Sequence, residues 1–211
     1  MRLPVLLAWV PMLAFSQEPT KAPLPVPADR HLDTYAVYSV VLMHPRLSHP
    51  DTNEKYVVQE LSGYALEGDL RSCITVPDAY RATFAELLAD RDEQYRQRYR
   101  LERNFKISKP YDLVTADQVK EFGRVRIATV PPASEAELFK GAVDLITLGN
   151  VYFDKKRTLA AVYTWALCGG LCGFGTWRVF VRNGKGEWEE QHWTNCMTIA
   201  ASRFASSACK A

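Results

Sequence analysis

Cys168 and Cys172 stand three residues apart around the run Gly169-Gly170-Leu171, followed by Gly173-Phe174-Gly175. Two sulfurs so spaced can bridge a tight loop, act as a redox pair, or join a third thiol or a histidine on a metal. A redox pair needs a thiol of lowered pKa, and a turn between strands supplies no helix dipole to lower it. Zinc thiolate sites usually come as two close pairs. A disulfide that locks the loop is therefore the expected chemistry of Cys168 and Cys172. The four histidines, His31, His44, His49 and His192, form no paired helix motif, and no G-x-S-x-G, P-loop or dinucleotide glycine pattern occurs. A nucleophile pair of His192 with Cys196 or Cys168 would need hydrogen-bond contact, which nothing in the spacing provides. Acidic pairs such as Glu86 with Asp90 and Glu189 with Glu190 read as solvated faces. No catalytic residue, metal site or cofactor is assigned.

The other cysteines are Cys73, Cys196 and Cys209. Cys196 and Cys209 are candidates for a bridge that ties down the tail, and an odd total leaves one thiol over. Disulfide use suits an oxidising compartment, and the N-terminus agrees. Residues 1–16 (MRLPVLLAWVPMLAFS) place one arginine before an apolar stretch of about 13 residues, too short for the ~20 of a bilayer span. Ala14 and Ser16 then offer a small-x-small cleavage site. The expectation is a signal peptide cut after Ser16 and a mature chain that is secreted or periplasmic, soluble and without a membrane span. Residues 17–28, with four prolines, read as a Pro-rich disordered leader. A net charge of +2 gives no reason to expect nucleic acid or an anionic membrane as partner. The mixed charges from Asp90 to Arg103 read as a solvated helix face.

Trp165, Trp177, Trp188 and Trp193 all fall in the second half of the chain, with Tyr152, Phe153, Tyr163, Phe174 and Phe180. Such aromatics fill cores and suit strands, or line a face for a ligand. Phe174 on the glycine loop, with Trp177 and Trp165, is the candidate binding set.

The elements that hold these residues divide the domain, residues 29–211, into two halves. About 29–140 reads as mainly helical. His31 to His44 suits a buried helix capped by Asp29 or Asp33. Lys55–Leu61 suits a strand. Pro77-Asp78 opens a long amphipathic helix with Tyr80, Phe84, Leu87, Leu88, Tyr95 and Tyr99 near one stripe, which thins around Arg91–Gln94, where any break in the helix is expected. Thr115 with Gln118, and Ser134 with Glu137, make capping boxes, with Gly123 and Gly141 expected just past the two helix ends. From about 142 to 196 the pattern is a β-meander of three to four strands. TLAAVYTWAL is apolar enough to be covered on both faces. Arg178 and Arg182 alternate with Trp177, Val179 and Val181, which predicts a solvent face. Asn183-Gly184 marks a hairpin. The fold class is α+β, a helical half packed on an antiparallel meander.

The run from Val143 to Trp188 resembles the C-terminal half of a group of uncharacterised exported bacterial proteins. They share a strand ending V-x-F-N/D, a strand ending C-G-x-L-C-G-x-G, and N-G-x-W. The matching residues are Val151, Phe153, Asp154, Cys168, Gly169, Leu171, Cys172, Gly173, Gly175, Asn183, Gly184 and Trp188. The resemblance implies fold and export, and carries over no activity and no catalytic residue. The expected function is a non-catalytic binding or envelope-associated module for a protein or small ligand. The alternative is a thiol-dependent oxidoreductase or cysteine hydrolase using the Cys168/Cys172 loop.

Overall fold

His31–Met43 winds into α1, and the helix ends where Pro45 cannot continue it. The computed structural model describes residues 22–45, 54–63, 68–127, 139–142, 144–169 and 172–201, with backbone alone at 123–127, 168, 169, 172, 200 and 201. The expected signal peptide, the Ser134–Glu137 capping box and Cys209 lie outside those residues. The N-cap of α1 is Arg30, with no side-chain cap. Asp29 and Asp33, expected as caps, instead pair with arginines of the strand half: Asp29 with Arg157 at 2.6 Å, and Asp33 with Arg182.

The chain then alternates strands and helices: β2 Tyr56–Gln59, α2 Leu70–Cys73, a 3-10 turn at Asp78–Tyr80, α3 Arg81–Gln94, β3 Tyr99–Arg100, β4 Tyr111–Val114 and α4 Ala116–Ile127. After these come β5 Leu145–Phe153, β6 Leu159–Gly169, β7 Cys172–Arg182, β8 Trp188–Gln191 and β9 Thr198–Ala201. The fold is α+β. Its sheet has the order β4-β2-β5-β6-β7-β8, with β9 also on β7. β2 runs parallel to both β4 and β5, and the pairs from β5 to β8 are antiparallel. The first half is thus more than a helical cover, because β2 and β4 extend the sheet itself.

The Pro-rich leader is also drawn in. Leu24–Pro25 forms β1, paired parallel with β3, and Val26 is buried in the main core. Burying Val26 takes its apolar surface out of water and offsets part of the cost of ordering this segment.

β6 separates two cores, as its near-continuous apolarity requires. Ala160 and Val162 face α1 and the core built with Val37, Tyr38, Val41, Phe105, Leu148 and Phe180. Leu159, Ala161, Tyr163 and Trp165 face α2 and α3 through Leu70, Phe84 and Leu87. A third cluster sits under α4 around Val57, Phe122 and Leu145. The Thr115 capping box forms in both directions: the Thr115 N–H donates to Gln118 Oε1 at 2.9 Å, and the Gln118 N–H to Thr115 Oγ1 at 3.4 Å. Gly123, expected beyond the helix end, lies inside α4, where local propensity yields to packing.

Two turns fix the antiparallel register. Between β5 and β6, buried Asp154 accepts hydrogen bonds from the N–H groups of Lys156, Thr158 and Leu159 and from the Thr158 hydroxyl. Between β7 and β8, Asn183 Oδ1 accepts from the N–H groups of Lys185 and Glu187. The left-handed residue there is Gly186, φ +84°, so the Asn-Gly hairpin signal is met by a turn whose bulge falls two residues late.

Candidate functional site

β6 and β7 form the longest pair of the sheet, and their distal end carries the cysteine–glycine run. Gly169 pairs with Cys172 and Leu167 with Gly173, so Cys168 is the extra residue of a bulge next to Cys172's cross-strand partner. Gly170 and Leu171 lie outside the described residues.

The glycines of β7 are explained by what crosses them. Trp165 pairs with Gly175, and its ring lies over the β7 backbone. A Cβ on Gly173 would meet Trp165 Cζ2 at 2.6 Å, and one on Gly175 would fall within 2.5 Å of Trp165 and still nearer the Tyr163 hydroxyl. Close approach, rather than a backbone angle closed to side chains, is what these positions require. Both rings are buried, so Gly175→Ala is expected to lower stability by about 2–3 kcal/mol through overpacking. Urea unfolding measures this, and an unchanged midpoint would refute the packing argument.

The candidate binding aromatics separate onto opposite faces. Trp177 is fully buried and Trp165 is 4% exposed, both in the core under α2 and α3. Trp177 Nε1 donates to the Gly68 carbonyl at 2.8 Å. Trp177 therefore belongs to the packed core, and Trp165, nearly as buried, also borders the hollow beside Phe174. Strand alternation places them on the covered face, and glycines opposite make room for them. Phe174 points the other way. It is half-buried beside a hollow at the end of α1 lined also by Val41, Pro45, Thr164 and Arg178, with room for about one water. Its cross-strand partner is Ile199, 61% exposed, and Met197 just before β9 is 52% exposed.

Arg178, expected to face solvent, is 1% exposed. Its Nε donates to Glu190 Oε1 at 2.8 Å, its Nη2 pairs with Glu190 Oε2, and its Nη1 donates to the Val41 carbonyl at 3.0 Å. The guanidinium lies 5.5 Å from the Phe180 ring centroid. A charge taken out of water needs such partners, and here they join the end of α1 to the β7–β8 hairpin. Glu190 is therefore a structural counter-ion and not a solvated acid. Asp90 is likewise engaged, by both Arg30 guanidinium nitrogens and the Phe153 N–H.

The sulfur chemistry is partly settled. Cys196 is bonded to Cys73, Cα–Cα 5.1 Å, so the pairing with Cys209 gives way to one across the fold, and a Cys196–His192 nucleophile pair is excluded. The bridge fastens the end of α2 to the segment after β8, where the Thr75 and Asn195 N–H groups already bond the Trp193 and Cys73 carbonyls. Among the described residues no group of three or more His, Cys, Asp or Glu is placed to hold a metal ion, and no helix is long and apolar enough to cross a membrane.

Comparison with protein-family models, curated proteins and solved structures finds no match.

Proposed function

We propose that this chain is an exported, non-catalytic module that binds a partner through the distal end of the β6–β7 hairpin. The carrying observation is the register pair Phe174–Ile199, an apolar couple in which Phe174 lines the α1 hollow and Ile199 beside it is 61% exposed. Isolated exposed apolar residues are ordinary, but a couple beside a hollow, on a strand held rigid by packed glycines, is what a small hydrophobic recognition patch requires. The Cys73–Cys196 bridge, the signal-like residues 1–16 and the resemblance to exported bacterial proteins support the export part of the reading.

The test is site-specific photo-cross-linking in producing cells. A photoreactive phenylalanine at position 174 or 199 is expected to give a discrete adduct, and one at Lys185 none. Phe174→Ala should abolish the adduct from position 199 while costing about 1–2 kcal/mol of stability, because the ring lies outside the buried core and keeps part of its surface in water. Equal labelling from all three positions, or an adduct that survives Phe174→Ala, would remove the interface. A mature N-terminus at Gln17 is expected from mass spectrometry, and an intact Met1 would contradict export.

The second reading, a thiol-dependent oxidoreductase or hydrolase at Cys168/Cys172, draws on the same hairpin register, which brings the two cysteines together along the backbone. Reactivity requires a thiolate near neutral pH. Thiol titration of the native protein separates the readings: no fast-reacting thiol is expected, and a bridging peptide joining Cys168 to Cys172 should appear after non-reducing digestion.

A further inference from the structure

The fourteen residues from Arg96 to Lys109 carry six cations and one carboxylate, in a chain whose total is only +2. Three of the six, Arg103, Lys106 and Lys109, follow β3 (Tyr99–Arg100) on the strap that leads to β4. After β3, the chain runs back over the face of β2 with Leu101, Phe105 and Ile107 turned into the α1 core and Arg103, Lys106 and Ser108 turned out. The strap ends beside the open edge of β4, the outermost strand of the sheet.

Among the described residues no further strand pairs with that edge. The Tyr56 N–H bonds the Pro110 carbonyl and the Glu60 N–H bonds the Val114 carbonyl, each at 2.9 Å. By the two-residue period of a strand, Tyr111 and Leu113 aim their backbone groups away from β2. Arg103 occupies this side, with Nη1 donating to the Tyr111 carbonyl at 3.1 Å and Nη2 to Asp112 Oδ1 at 3.2 Å. Lys55 Nζ holds the other Asp112 oxygen at 2.9 Å, and Lys109 lies 4.8 Å from the Tyr56 ring centroid. Hydrogen bonding from Lys55, reinforced by Arg103, holds the Asp112 carboxyl below its ordinary range, the sign of a positive field.

We propose that the strap and the open edge of β4 dock an extended acidic polypeptide segment. Charge complementarity supplies attraction along the strap, and the edge supplies what only a peptide can use, a ladder of backbone bonds. An incoming carboxylate takes Arg103 from Asp112, and an incoming N–H takes the Tyr111 carbonyl that Arg103 vacates. The competing role for the same residues is edge protection alone, a charged pair that discourages strand pairing. This surface lies apart from Phe174, and the inference stands independently of that site.

The test is fluorescence anisotropy of the full mature protein with a labelled decapeptide alternating Glu and Val. Saturable binding is expected at low salt, weakening by about tenfold or more at several-fold higher ionic strength. Arg103→Glu should reduce affinity by at least about tenfold, since it reverses the charge at the centre of the contact with an acidic segment. The side chain is 62% exposed, and an unchanged circular dichroism spectrum would confirm that the variant folds. A peptide N-methylated at alternate residues on one edge should bind about fivefold or more weakly than the parent, because it cannot complete the ladder. Absence of saturable binding, full binding by Arg103→Glu, or equal binding of the N-methylated peptide would each overturn the proposal. So would sulfated glycan or phosphatidylglycerol vesicles binding as well as the acidic peptide.

Discussion

Replacing Cys73 and Cys196 together by alanine is expected to lower the free energy of unfolding by about 5 kcal/mol. The bond closes a loop of 123 residues, and loop-closure entropy at that length amounts to roughly 5 kcal/mol at 25 °C. The effect resides mainly in the unfolded chain. On the folded side, Ile74 and Thr194 form a β-bridge, and the Asn195 N–H bonds the Cys73 carbonyl at 3.0 Å. These bonds keep the two segments together when the sulfurs are gone. Because domains of this kind are stable by only about 5–15 kcal/mol, the variant should fold marginally or not at all at 37 °C. Urea titration of oxidised protein against the double variant measures the difference. A steeper denaturant slope in the variant is also expected, because its unfolded state is freer to expand. A loss under about 1 kcal/mol would show that the bridge constrains little.

Glu190→Leu is expected to cost about 3–5 kcal/mol, and adding Arg178→Met should restore most of it. The single change leaves a guanidinium that is 1% exposed with the Val41 carbonyl and the Phe180 face as its remaining partners among the described residues. Arginine cannot shed its charge as a buried lysine can, so the full desolvation penalty falls on the folded state. The double change removes the charge together with its counter-ion and fills the site with apolar volume. Only the bond to the end of α1 is then missing, worth about 1 kcal/mol. Chemical denaturation of the four-member cycle reads this directly. Strict additivity of the two single effects would mean that the pair is not coupled.

Arg178 also marks where sequence reading stops. Alternation along β7 turns Arg178 and Arg182 to one side, and a charge on a strand face reads as a charge in water. What decides otherwise is α1, which comes from the other end of the chain and covers that face. A signal was nevertheless present. The Asn183 hairpin fixes the β7–β8 register, Phe180 pairs with Glu190, and Glu190 is then diagonal to Arg178 on the same face. The same register logic would have placed Trp165 over Gly175. Local and strongly patterned features were legible: the Thr115 capping box, α1, and β6 as a strand covered on both sides. β4 was not, because four residues with an aspartate among them resemble a loop until β2 pairs with them. Nor was the Cys73–Cys196 bond, since nothing along a chain links residues so far apart.

The Cys73–Cys196 bond has a consequence for cleavage. It makes residues 73–196, from the last residue of α2 to the segment before β9, one covalent ring, with the chain through β1, α1 and β2 as one arm and the chain through β9 as the other. A single protease cut at any loop inside the ring, the strap or the Asn183 turn included, opens the ring without parting the pieces. Nicked protein therefore migrates as one species on a non-reducing gel and as two fragments once reductant is added. A cut in either arm releases its fragment under both conditions after denaturation, so the gel alone tells which side of the sulfurs was struck.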